Sequence, residues 1–237
     1  AVPVSADAQP APRWYELYFT KPKYPDDPKS HHGGIDDRLV ALMDRAGRTL
    51  DVADYDFDLE NVADAMALAK GRGVQVRMVT DSDTLNNTKD QRIQNALRKV
   101  KEAGIPIVDD KRPPIMHHKF TIVDGEWVST GSWNYTDGDT YRLNNWMGIF
   151  TSKELAANYT AEFEQMFAGK FGPAKAKNLP FPVLTIDTAR MQTCFSPKGD
   201  CAALIVSTIQ REATKSLYFL AFSFTHDGIG QTIIDTQ

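Results

Sequence analysis

The stretch Pro114–Asn134, PIMHHKFTIVDGEWVSTGSWN, decides how this chain reads. Its middle, Phe120-Thr121-Ile122-Val123, is a short apolar run with β-branched residues that stops at Asp124-Gly125. Trp127, Val128 and Thr130 then resume a strand pattern. An Asp-Gly pair between two such runs predicts a β-hairpin. On an extended segment residues two apart share a face, so His117 and Lys119 point together while His118 points away. A tightly paired hairpin returns Ser132 and Asn134 to about the level of His117 and Lys119.

An imidazole, an ammonium, a hydroxyl and an amide then converge on one spot. The set holds no carboxylate pair and no cysteine cluster, which suits a phosphate better than a divalent metal. His117 can attack phosphorus, and Lys119 and Asn134 can donate hydrogen bonds to the oxygens where charge develops. The bland alternative is a hairpin edge with a polar end, against which the spacing of the whole set argues.

His117-x-Lys119, four residues, Asp124, then six residues to Gly131-Ser132-x-Asn134 resembles the HKD signature of the phospholipase D superfamily. The resemblance extends more loosely from about Leu39 to Phe171. It implies metal-independent phosphodiester cleavage or transfer through a phosphohistidine, with no cofactor. His117 is then the nucleophile, or the acid/base partner if another half supplies the nucleophile. Lys119 and Asn134 become phosphate contacts, Asp124 a structural carboxylate and Ser132 a hydrogen-bonding support. One departure stands out: the family's Asn followed by an acidic or amide residue is here Asn144-Asn145-Trp146, which leaves the local partner of the histidine open.

The rest of the chain frames this motif. At 237 residues it can bury a full core, and a net charge of −4 announces neither nucleic acid nor an anionic membrane. No apolar run approaches a membrane span, so stable membrane insertion is not expected. Cys194 and Cys201 bracket a segment whose Pro197 and Gly199 suggest a turn, and a small disulfide loop is preferred over two free thiols. The opening Ala1-Val2-Pro3-Val4-Ser5-Ala6 looks like a mature terminus left by signal-peptide removal. With the disulfide it points to a secreted or periplasmic protein.

Helical and strand periodicities alternate from Ile35 to Asp109, predicting βαβ units and an α/β fold: a mixed, mostly parallel sheet flanked by helices. Asp54, Asp56, Asp58, Asp81 and Asp83 fall near two strand carboxyl ends. They read as caps and loop linings rather than a two-metal site. His31 and His32 sit in a polar loop, read as solvated or as a flap near the phosphate. Lys111 and Arg112 either draw in an anion or form a solvated turn. Leu155, Tyr159, Phe163, Met166 and Phe167 mark a long amphipathic helix, and a Gly, Pro, Ala and Lys-rich linker follows.

Beyond the linker the first pattern returns at an offset of 167 residues: Leu39, Leu42 and Leu50 meet Val206, Ile209 and Leu217, and Val62 and Met66 meet Ile229 and Ile233. The expected organisation is pseudo-duplicated, with a first phospholipase D-like repeat over 14–172, a linker over 173–182 and the start of a second repeat over 183–237. The counterpart of His117 falls beyond Gln237. The partner implied is therefore a missing C-terminal half carrying a second HKD motif, or otherwise a second copy in a homodimer. The first substrate reading is nucleic acid, cut by a secreted nuclease. The alternative is a phospholipase D acting on phospholipid headgroups, for which Trp133, Tyr135 and Trp146 are candidate apolar surface. A non-catalytic binding protein follows if the second motif is degraded.

Overall fold

The computed structural model describes residues 13–236. The expected signal-processed terminus lies outside the described residues. In chain order the elements are β1 (Tyr15–Phe19), α1 (Asp36–Met43), β2 (Thr49–Asp54), α2 (Glu60–Gly71), β3 (Gln75–Thr80) and α3 (Ser82–Leu85). Then come α4 (Gln91–Glu102), β4 (Ile107–Asp109), β5 (Lys119–Val123), β6 (Trp127–Gly131), α5 (Asp137–Tyr141), β7 (Trp146–Thr151) and α6 (Lys153–Phe167). The last part holds β8 (Val183–Ile186), β9 (Ala189–Gln192), α7 (Cys201–Glu212) and α8 (Asp227–Asp235).

Seven strands form one sheet in the order β1-β7-β6-β5-β2-β3-β4. The two crossovers, β2-α2-β3 and β3-α4-β4, give parallel pairs, as the alternating periodicities predict. The remaining four junctions are antiparallel, so the expectation of a mostly parallel sheet is wrong. The reason lies between β4 and β5. No helix bridges them, and the chain crosses back to the open side of β2, where β5 runs in the opposite direction. The β5–β6 hairpin, then β7 and β1, extend the sheet from there.

Strand alternation divides the core into two layers. Leu50 and Val52 of β2 pack with Leu39 and Met43 of α1, Val62 and Met66 of α2 and Leu97 of α4. On the other face Ala53, Val79, Phe120, Ile122 and Val128 pack with Leu155, Phe163 and Met166 of α6. Asp51 also points to that second layer, where Arg77 meets it in a fork of 2.7 and 2.9 Å. The guanidinium lies over the rings of Phe163 and Phe167, so a buried carboxylate is matched by a planar cation that also covers aromatic surface. Helix starts carry side-chain caps: Asp90 accepts from Arg92 N–H, and Ser152 accepts from Leu155 N–H.

The Asp-Gly turn forms as predicted. Both Asp124 and Gly125 have positive φ, 55° and 65°, and Glu126 N–H donates to Val123 O. The Asp124 carboxylate reaches across to β2 and accepts the backbone N–H groups of Gly47, Arg48 and Thr49 at 2.7–2.9 Å. Burial would raise its pKa, but the three donors and nearby Arg48 together hold it below the usual range. The hairpin is thereby tied to the start of its neighbour.

After α6 the segment expected as a linker is docked. Asn158, fully buried, donates to Phe181 O and accepts from Phe181 N–H. Lys175 is buried against Glu162, and Leu184 of the β8–β9 hairpin joins the second core layer. Cys194 and Cys201 are disulfide-bonded. Further on, α7 and α8 pack against each other. Between them Leu217–Phe224 pairs with no strand and is exposed, with Tyr218 at 90% and Leu220 at 98%.

Removing the Asp124 tie strands three backbone donors, and alanine is also strained at positive φ. Asp124→Ala should destabilise the fold by about 2–3 kcal/mol in urea titration. Asp124→Asn, which tolerates the turn and keeps an acceptor, should lose markedly less.

Candidate active site

Lys119 opens β5 and His117 precedes it by two residues, so both side chains belong to the α1/α2 side of the sheet. In the antiparallel register Lys119 stands opposite Asp54, the last residue of β2. Tyr55, one residue on, bridges the pair. Its ring meets the His117 imidazole edge-on at 4.9 Å, and the Lys119 ammonium lies 5.3 Å from the ring centroid. Lys119 also donates to the carbonyl of His117 at 3.2 Å. His118 turns to the opposite face and binds Glu162 at 2.8 Å. The alternation read from the sequence thus separates the two histidines.

Charges around Lys119 are set by burial. Asp54 is completely buried, and this raises its pKa well above the usual carboxylate range, against the pull of the Lys119 cation. Burial likewise lowers Lys119, with Asp54, Asp139 and Asp56 acting against that shift. One Asp54 oxygen accepts the Tyr135 N–H at 2.9 Å. His117 opens to solvent on one side. Its partial burial, followed by the neighbouring Lys119 cation, lowers its pKa. Both effects favour the uncharged ring, the form a nucleophile needs.

Asn134 is held by Asp139, whose carboxylate oxygen accepts both its backbone N–H and its side-chain NH2, at 2.9 and 3.0 Å. Ser132 donates to Asn145 Oδ1 at 2.8 Å and accepts the Trp146 N–H at 3.2 Å. Gly131 is required by close approach: a Cβ there would lie 2.1 Å from the Trp146 carbonyl oxygen. Asp124 sits at the far end of β5 and acts on the backbone. The site therefore gathers His117, Lys119 and Tyr55, with Asn134 and Ser132 each fixed by a partner at the end of β6.

Sequence reading missed Tyr55, Asp139, and the Glu162–Lys175 pair. Tyr55 had a usable signal, since it follows a strand carboxyl end where ligands gather in such sheets. Of the aspartates singled out earlier, Asp81 caps α3 and accepts the Met116 N–H, and Asp58 accepts the Asp137 N–H. His31 is clasped between Asp26 and Asp137 at 2.8 Å each and stacks on Tyr141, which ties its loop to α5. A cavity of about 430 Å³ beside that loop does not include His117 or Lys119. Trp133 and Tyr135 are 1% exposed and belong to the core, whereas Trp146 is 39% exposed.

Residues 39–167 match the family described as "Cardiolipin synthase, PLD-like domain". The chain is 31% identical over 153 residues to a mitochondrial cardiolipin hydrolase of Xenopus tropicalis, covering 65% of this chain and 70% of that protein. It is 31% identical over 121 residues to a phospholipase D of Rickettsia felis, covering 51% and 58% respectively. Among solved structures, the phospholipase D family member Nuc from Salmonella typhimurium shares the fold with a TM-score of 0.55 at 23% identity. That match covers 65% of this chain and 94% of Nuc. Fold and motif together define a phosphodiesterase of the phospholipase D superfamily. The chain belongs to the PLD-like domain family of cardiolipin synthase.

The Asp139 carboxylate opposes the lowering of the His117 pKa. A proton NMR titration of His117 should give a midpoint below 6.5 in the wild type. In Asp139→Asn the midpoint should fall further, because a charge that favours the imidazolium is gone. An upward shift would contradict this placement of Asp139.

Proposed function

We propose that the chain is the HKD-bearing unit of a metal-independent phospholipid phosphodiesterase working through a phosphohistidine. The observation that carries this reading is the placing of His117 and Lys119 on one side of the sheet, both packed against the Tyr55 ring. In the first step an imidazole nitrogen bonds to phosphorus and the bond to the leaving oxygen breaks, that oxygen receiving a proton from a second histidine. In the second step water attacks phosphorus, gives its proton to the second histidine and releases His117. Lys119 and the Asn134 amide stabilise the non-bridging oxygens throughout.

The second histidine comes from a further HKD motif, in a C-terminal half or in a second copy. The bare apolar segment Leu217–Phe224 supports a partner surface of that kind.

Phospholipid is favoured over the nucleic acid that stood first in the sequence reading. The similar proteins named above are a cardiolipin hydrolase and a phospholipase D. Electrostatics agree: Asp54, Asp56 and Asp139 act on the Lys119 charge, so carboxylates stand close to the place where a polyanionic strand would have to bind. The disulfide supports a place in an oxidising compartment, secreted or periplasmic.

The test is release of headgroup from cardiolipin or phosphatidylglycerol micelles, with single-stranded DNA in parallel. Lipid turnover should persist in EDTA and fall by at least roughly a thousandfold in His117→Ala. Turnover of DNA alone would restore the nuclease reading, and loss of activity in EDTA would remove the metal-free mechanism.

A further inference from the structure

The cavity of about 430 Å³ beside the loop over 20–34 shares no residue with the His117 site. One wall is the outer strand β1, which pairs only with β7. The others are the loop itself, Arg38 of α1 and Tyr141 of α5. The loop is tied down along its length. Thr20 Oγ1 donates to Leu143 O and accepts the Asn145 N–H, both at 2.7 Å. Tyr24 donates to the Arg142 carbonyl, and His31 is held by Asp26, Asp137 and the Tyr141 ring. Gly34 allows a close approach, since a Cβ there would lie 2.5 Å from an Asp36 carboxylate oxygen and 2.6 Å from the Thr140 methyl. The walls are therefore in place before any ligand arrives.

The charges in this cavity are unbalanced. Lys21, Lys23 and Arg38 line it, and none of them is ion-paired among the described residues. Arg38 lies over the Tyr18 ring, 5.4 Å from its centroid, so its guanidinium is held by an aromatic face while its N–H groups remain available. Asp26 is the carboxylate of the lining, and it is already engaged by His31 at 2.8 Å and by Arg142 at 3.7 Å. A fixed planar fork with two ammonium groups suits an oxyanion that carries several oxygens and more than one charge, which is a phosphate group. Leu17 and Phe19, 48% and 63% exposed, add apolar surface at the cavity's edge.

We propose that this cavity is a second phosphate-binding site. Arg38 receives the phosphate group in a bidentate contact, Lys21 and Lys23 supply the remaining positive charge, and Leu17 and Phe19 carry the organic part of a phosphate ester. The headgroup of an anionic lipid and a soluble phosphate ester offer this same chemistry. The register of β1 against β7 sets Phe19 opposite Trp146, next to the Asn145 that holds Ser132. The cavity thus lies at the same end of the sheet as His117, where a phosphate ester bound in it would keep the chain on a phosphate-bearing surface or molecule while His117 acts on another. The inference goes beyond the phosphodiesterase reading and does not rest on which substrate is cleaved.

The test follows the amide resonances of Gly33 and Gly34 by NMR during titration with inorganic phosphate at constant ionic strength. They should shift and saturate in the wild type and equally in His117→Ala. In Arg38→Gln the apparent Kd should rise at least about tenfold. The double variant Lys21→Gln/Lys23→Gln leaves the Arg38–Tyr18 contact in place and should weaken binding as well. A shift that fails to saturate, that chloride reproduces, that survives both variants, or that vanishes in His117→Ala overturns the proposal. Flotation with phosphatidylcholine vesicles, with and without phosphatidylglycerol, then separates the sources. Capture by the anionic vesicles that Arg38→Gln removes and phosphate competes away assigns the site to lipid headgroups. Saturable phosphate binding without vesicle capture assigns it to soluble esters, and either result keeps the site. None of these readouts depends on cleavage, so failure here leaves the phosphodiesterase reading standing.

Discussion

The register of β5 against β2 is the constraint on which this site depends. Asp124 fixes it at one end by accepting three N–H groups from Gly47–Thr49. At the other end that register sets Lys119 opposite Asp54. Strand side chains alternate, so a slip of one residue would exchange faces along the whole strand. His118 would then enter the site, and His117 and Lys119 would turn into the layer beneath α6. Adjacent histidines with opposite duties are tolerable only where register is this firmly held.

Two buried charge groups lie on opposite faces of the same strand, and they do different things. On the site face, Asp54 and Lys119 are both pushed toward their neutral forms by burial. Such a pair adds little to stability and keeps the local field adjustable. On the α6 face, Glu162 has two hydrogen-bonding partners, His118 and Lys175, which together outweigh the effect of its burial and lower its pKa. That arrangement specifies one position for the segment after α6. One group serves chemistry, the other docking.

The motif and its face were legible because they are local. The hairpin turn, the sharing of a side by His117 and Lys119, and the disulfide all follow from spacing over a few residues. Sheet direction was not legible in the same way. The βαβ units announce parallel pairs, but nothing nearby says that β5 returns to the vacant side of β2. Trp133 and Tyr135 are candidate apolar surface for a phospholipid substrate by sequence, yet Tyr135 is drawn into the core by Thr121 and Asp54 from distant strands. The segment after α6 looks like a linker by composition. Its anchor is one lysine meeting one glutamate on another element, and no periodicity records that.

The stretch Leu217–Phe224 has a consequence for handling the protein. LYFLAFSF has no charge and no proline, is rich in residues that favour extended pairing, and lies open to solvent. Such a segment is a template for edge-to-edge association between chains. Lys215 on one side and Asp227 on the other are the nearest charges that can act as gatekeepers. Colloidal behaviour of the purified chain will therefore be governed by eight residues that lie outside the matched family domain.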